Sequence, residues 1–341
     1  MGGTRPGFTA GNWWQASDES NRLSLSVFVG LTPFFEQTAL WEQISNPNVE
    51  DLSSPGTIRN PPWPAMGPTP TDENNQYGSG VNTRNTAYAP WMTELATLRC
   101  PSDPGTGLPA MGRTNYAACL GDANRFTDAG PFRNHLQRTD IWRFEETNAA
   151  GRGVFKTRIK TAFRDILDGT ANTILAGEIA TDLGDRSTTT RPRGGLGFTA
   201  VQDNPQVCRP DVDPQRPQFW KPGLTSLVAA NQGRGFRWAS GCAPYTVMNT
   251  ILPPNSETCL AIGHTGNGIL PPSSRHEGGA HVVMADGAVK FVTNSIEAGN
   301  QTAGTVRRGR TGDRAPGSPS PYGLWGALGT RASKETVEID F

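Results

Sequence analysis

The sequence predicts an α+β fold weighted toward β, a single domain over residues 1–341, and three observations carry that reading. Forty glycines and 28 prolines make up about a fifth of the 341 residues, which is loop-rich but below the level of disordered chains. Leu23, Leu25, Val27 and Val29 alternate with Ser24, Ser26 and Phe28, the period of two that a half-buried strand shows. Ala280–Ala285 and Ala288–Val292 are apolar runs on either side of Asp286-Gly287, the pattern of a β-hairpin closed by a type I′ turn.

The elements follow in order. After the strand at 23–29, Pro33 opens a helical pattern over Phe34–Ile44, because proline suits a first helical position. Residues 45–90 are rich in Pro, Gly, Ser, Thr and Asn and predict a long surface loop. Order returns at Trp91–Cys100, turns at Pro101-Ser102-Asp103-Pro104, and resumes as a strand over Asn115–Leu120. Asp168-Gly169-Thr170 marks a turn, with a strand at Thr173–Glu178 beyond it. A second polar insertion covers 186–217, and short strands broken at Pro253-Pro254-Asn255 occupy 236–260. A C-terminal extension runs from about 300 to 341, in which Leu324–Leu328 and Val337–Phe341 read as apolar segments docking back.

Composition narrows function. Lys and Arg number 31 and Asp and Glu 31, so no basic surplus points to nucleic acid. No run approaches the about 18 apolar residues of a membrane span. The opening Met1-Gly2-Gly3-Thr4-Arg5-Pro6-Gly7 lacks an export signal and reads as an internal loop of a longer protein. Cys100, Cys119, Cys208, Cys242 and Cys259 form no CxxC pair. They predict a Cys100–Cys119 disulfide and one more among the other three, the alternative being five reduced core thiols.

Chemical constellations are few. His276, His281 and Asp286 are of metal-ligating types, but a hairpin puts His281 mid-strand and Asp286 at the tip, so the three are not expected to converge. No Gly-x-Ser-x-Gly elbow and no cysteine–histidine signature supports nucleophilic catalysis. Asp165, Asp168 and Glu178 flank a turn and are weak calcium candidates, with a capped turn as the simpler account. Trp13-Trp14, Trp63, Trp91 and Trp220 suit sugar stacking, a core or assembly contacts equally.

Several blocks together carry a resemblance. They are Thr32–Trp41, Cys100–Pro104, Asn115-Tyr116, Asp165–Ile174 with Glu178, Leu252–Ser256 with Cys259, Ser273–Gly279 through Asp286–Phe291, and Leu328–Arg331. In this order they make the chain resemble the planctomycete prepilin-like proteins carrying domain of unknown function 1559, which end in a His-x9-Asp-Gly signature. The family's prepilin helix is missing from the sequence. The resemblance implies a pilin-like or pseudopilin-like domain with an antiparallel sheet, no established activity, and membrane attachment only through the absent helix. The same domain has been likened to solute-binding proteins. His276, Gly278, Gly279, Asp286, Gly287, Asp168, Gly169, Asn172 and Glu178 become signature residues with folding roles rather than catalytic ones. The expectation is a non-enzymatic extracellular or cell-surface structural protein without a cofactor, self-associating into a pilus-like or other filament. The alternative is an extracellular solute- or carbohydrate-binding module.

Overall fold

The computed structural model describes residues 12–71, 85–133 and 140–335. In chain order the elements are α1 (Val27–Leu31), α2 (Thr38–Ser45), β1 (Asn48–Glu50), β2 (Ile58–Trp63), α3 (Ala89–Met92), β3 (Tyr116–Cys119), α4 (Ile141–Ala150), β4 (Ile174–Glu178), α5 (Phe198–Asp203), β5 (Val247–Met248), β6 (Cys259–Leu260), β7 (Gly268–Ile269), β8 (Gly279–Met284), β9 (Val289–Thr293) and α6 (Gly323–Gly329), with 3-10 turns between them. Helical turns cover 21% and strands 15%, so the fold is α+β with mostly antiparallel sheets, and the expected weight toward β is not met.

The central sheet has the order β5-β3-β4-β8-β9. Only β3 and β5 pair in parallel; the other neighbours are antiparallel. One face is sealed: Ala117, Ile174, Met248, Val282, Met284 and Val292 pack with Trp325 and Leu328 of α6. Glu297 fixes that helix, its carboxylate accepting from Leu324 N–H at 2.7 Å and its carbonyl from Trp325 N–H at 2.9 Å. The predicted docking of Leu324–Leu328 is therefore observed, while Val337–Phe341 lies outside the described residues. A second core gathers Phe28, Ile44, Trp63, Tyr88, Trp91 and Trp238, so Trp63 and Trp91 are core, as is the buried Trp220 elsewhere.

Three local expectations are corrected. Residues 23–29 do not make a strand: Leu25 forms an isolated bridge to Ser240, and Val27 begins α1, whose Phe28 and Val29 are buried in the second core. The helix expected over 34–44 is interrupted, because Glu36 adopts φ 63° between the 3-10 turn Thr32–Phe35 and α2. The 45–90 insertion contains the β1–β2 hairpin and the start of α3, and 186–217 contains α5. No helix among the described residues is long and apolar enough to cross a membrane.

Candidate functional site

The two ends of the β4–β8 pair hold nearly all the signature residues. At the end where β4 finishes and β8 begins, Glu178, His276 and His281 converge. Antiparallel pairing sets Gly177 opposite Val282, which brings Glu178 beside His281 across 103 residues of sequence. The Glu178 carboxylate accepts the His281 backbone N–H at 2.9 Å and lies 3.1 Å from its Nδ1. His276 Nε2 is 4.0 Å from the other carboxylate oxygen. The two imidazoles stand edge to face at 5.5 Å, and Phe291, directly across β8–β9 from His281, backs it at 5.0 Å. One ligating atom from each of the three residues falls within 4.8 Å of the others. Both histidine side chains keep 39% of their surface exposed, against 14% for Glu178.

The loop carrying His276 is anchored. Ser273 donates its N–H to the Glu178 carbonyl at 3.0 Å and accepts the Ala180 N–H on its hydroxyl at 3.0 Å. Arg275 donates to the Thr181 carbonyl at 2.7 Å. Gly278, at φ 83°, makes the left-handed turn into β8 that a side chain would strain. Beneath the loop, buried Asp103 accepts from Thr181 N–H and hydroxyl (both 2.7 Å), Asn115 (2.9 Å) and Gly105 N–H (3.0 Å). Burial alone would raise its pKa, but these hydrogen bonds outweigh that and hold it below the usual carboxylate value.

The opposite end is a clamp of turns. Asp168 accepts from the Thr330 hydroxyl at 3.2 Å, Ser333 N–H at 2.8 Å and Lys334 N–H at 2.7 Å, tying the C-terminal segment down. The Gly169 carbonyl accepts the Asn172 N–H at 3.1 Å, and Thr170 and Thr173 carbonyls accept from Asp286 and Ala285 of the hairpin tip. That tip is not the expected type I′ turn. Asp286 keeps an ordinary negative φ and only Gly287, at φ 92°, is left-handed. Gly287 N–H bonds to Met284 O, and Met284 N–H to Ala288 O, the pattern of a type I turn followed by a glycine bulge. The Asp286 carboxylate accepts the Ala288 N–H at 2.9 Å and takes no part in the histidine cluster.

His276, His281 and Asp286 do not converge as a set, as their placement on a hairpin implies. The two histidines do converge, on Glu178 rather than Asp286. The calcium candidates separate: Asp165 caps Ala162 N–H, Asp168 serves the C-terminal clamp and Glu178 faces the histidines. Among the cysteines, Cys208 and Cys259 are bonded, one of the pairs left open above. The expected Cys100–Cys119 bridge is absent, since Cys119 lies buried within the sealed face of the sheet. Burial pushes the Cys119 thiol up to about 12; Cys100 and Cys242 are also free.

A separate cleft of about 470 Å³ is lined by Trp13, Trp14, Phe126 and Phe198, with Arg125 and Asn267 at polar positions. The tryptophan pair was legible as a candidate; Phe126 and Phe198 lie far apart in sequence and only the fold joins them.

No curated protein and no solved structure matches the chain. A family model described as SBP_bac_10, protein of unknown function (DUF1559), matches residues 6–299. With that match spanning both ends of the β4–β8 pair, the chain belongs to this family of unknown function.

Proposed function

We propose that the protein is a non-enzymatic structural subunit of the extracellular space or cell surface, with a pilin-like role, and that it self-associates through the edge strand β9 of its central sheet. The observation that carries this is β9. It is the last strand of the sheet, and Val289 and Phe291 expose 68% and 40% of their surface beside it. An edge strand offers unpaired backbone groups to another chain, and exposed apolar residues on it favour such pairing. A second copy adding to this edge heterologously leaves the same edge open for the next, which builds a filament rather than a closed dimer. The test is size-exclusion with light scattering and electron microscopy of the purified chain beside a Val289→Lys/Phe291→Lys variant. The wild type is expected to form species well above 36.6 kDa, with ordered filaments, and the variant to remain a folded monomer. A wild type that stays monomeric at every concentration overturns the proposal.

The aromatic cleft supports a second reading, a solute- or carbohydrate-binding module. Its volume falls in the about 300–1,000 Å³ range of small-molecule sites. Ligand entry would change the fluorescence of Trp13 and Trp14, so a glycan and solute screen read by tryptophan emission tests it; a flat response across the screen counts against it.

A further inference from the structure

We infer that Glu178, His276 and His281 form a binding site for one divalent transition-metal ion of the zinc type. The inference is independent of whether the chain self-associates.

The donor set decides the class of ion. Two imidazoles and one carboxylate suit zinc and its first-row neighbours, whereas calcium takes six to eight oxygens and magnesium a near-ideal oxygen octahedron. Geometry is close to what such an ion needs. Tetrahedral donors at about 2.0–2.1 Å from zinc sit about 3.3 Å from one another. Here His281 Nδ1 lies 3.1 Å from Glu178 Oε2 and His276 Nε2 lies 4.0 Å from Glu178 Oε1, and one ligating atom from each of the three residues falls within 4.8 Å of the others. The remaining closure falls to rotation of two imidazoles whose side chains keep 39% of their surface exposed.

The supports are rigid where they must be. Glu178 is held by the His281 backbone N–H, and the His276 loop by Ser273 and Arg275 bonds to the chain just beyond β4. Phe291 limits the His281 ring from behind. Three protein donors leave a fourth position toward solvent, and a dipositive ion on one carboxylate leaves a net positive centre there. Water or an anionic group would complete it.

The full chain is stripped with chelator, returned to chelator-free buffer without reductant, and titrated with Co²⁺ followed by visible absorption, then competed with Zn²⁺. Saturation at one equivalent is expected, with ligand-field bands and no intense thiolate charge-transfer band. His276→Ala, His281→Asn and Glu178→Gln should each weaken Zn²⁺ binding at least about tenfold. Glu178→Gln keeps a carbonyl to accept the His281 N–H, so a loss there is not a folding defect. His264→Ala, which alters a histidine outside the cluster, should bind as wild type does. Lack of saturable binding, wild-type affinity in the three cluster variants, or thiolate bands assigning the metal to Cys100 or Cys242 would overturn the inference.

Discussion

The two ends of the β4–β8 strand pair use the same kinds of residue for opposite purposes. At the hairpin-tip end, carboxylates and turn carbonyls meet backbone N–H groups: Asp168 holds Ser333 and Lys334, Asp286 holds Ala288, and Thr170 and Thr173 hold the tip. At the other end the half-exposed rings of His276 and His281 gather around the Glu178 carboxylate, above a loop anchored by Ser273 and Arg275 rather than by their ring nitrogens. One end closes the fold; the other is built on a rigid base and left open. A signature that runs through both ends therefore mixes folding residues with residues whose chemistry is unspent.

That contrast can be broken in order of effect. Asp103→Ala removes the buried acceptor under the open end and strands four donors, costing about 4 kcal/mol in urea unfolding. A loss under about 1 kcal/mol would mean the loop is held by something else. The same carboxylate gives the pH dependence. Its folded pKa lies below the unfolded value of about 3.9, so its stabilisation is full above that pH and disappears as pH falls through the folded pKa. Asp103→Asn should flatten that acid limb. At the closed end, Asp168→Ala frees the C-terminal segment and should cost about 2–3 kcal/mol, seen as faster proteolysis after residue 330.

Gly287→Val tests the turn itself and is smaller. Nothing lies within 4 Å of a Cβ built there, so only the left-handed backbone resists it, at about 1–2 kcal/mol. An unchanged melting temperature would refute the glycine bulge. His276→Ala should be smallest for stability, within about 0.5 kcal/mol, because its half-exposed ring supports no core. If it destabilises as much as Asp168→Ala, the open end is a folding element too.

Much of the closed end was legible in the sequence, because its devices are local. Asp-Gly between apolar runs specifies a hairpin, and Asp168-Gly169-Thr170 a turn, within a few residues. The turn type was not, since one positive φ or two depends on how the strands register. The strand expected at 23–29 shows the other limit: alternating Leu and Val also suit a short helix when tertiary contacts bury Phe28 and Val29 together. The open site was hidden for a third reason. His276 and His281 were visible as metal-ligating types, but their partner is 103 residues from His281 and arrives only through β4–β8 pairing. The Cys100–Cys119 expectation failed similarly, because the sheet carries Cys119 into its sealed face.

The most direct measurement is hydrogen–deuterium exchange of β9 across a dilution series of the full chain. Self-association through this edge predicts that amides of 289–293 become protected as concentration rises, while those at 168–173 in the closed clamp stay unchanged. Equal exchange of β9 at every concentration would contradict it.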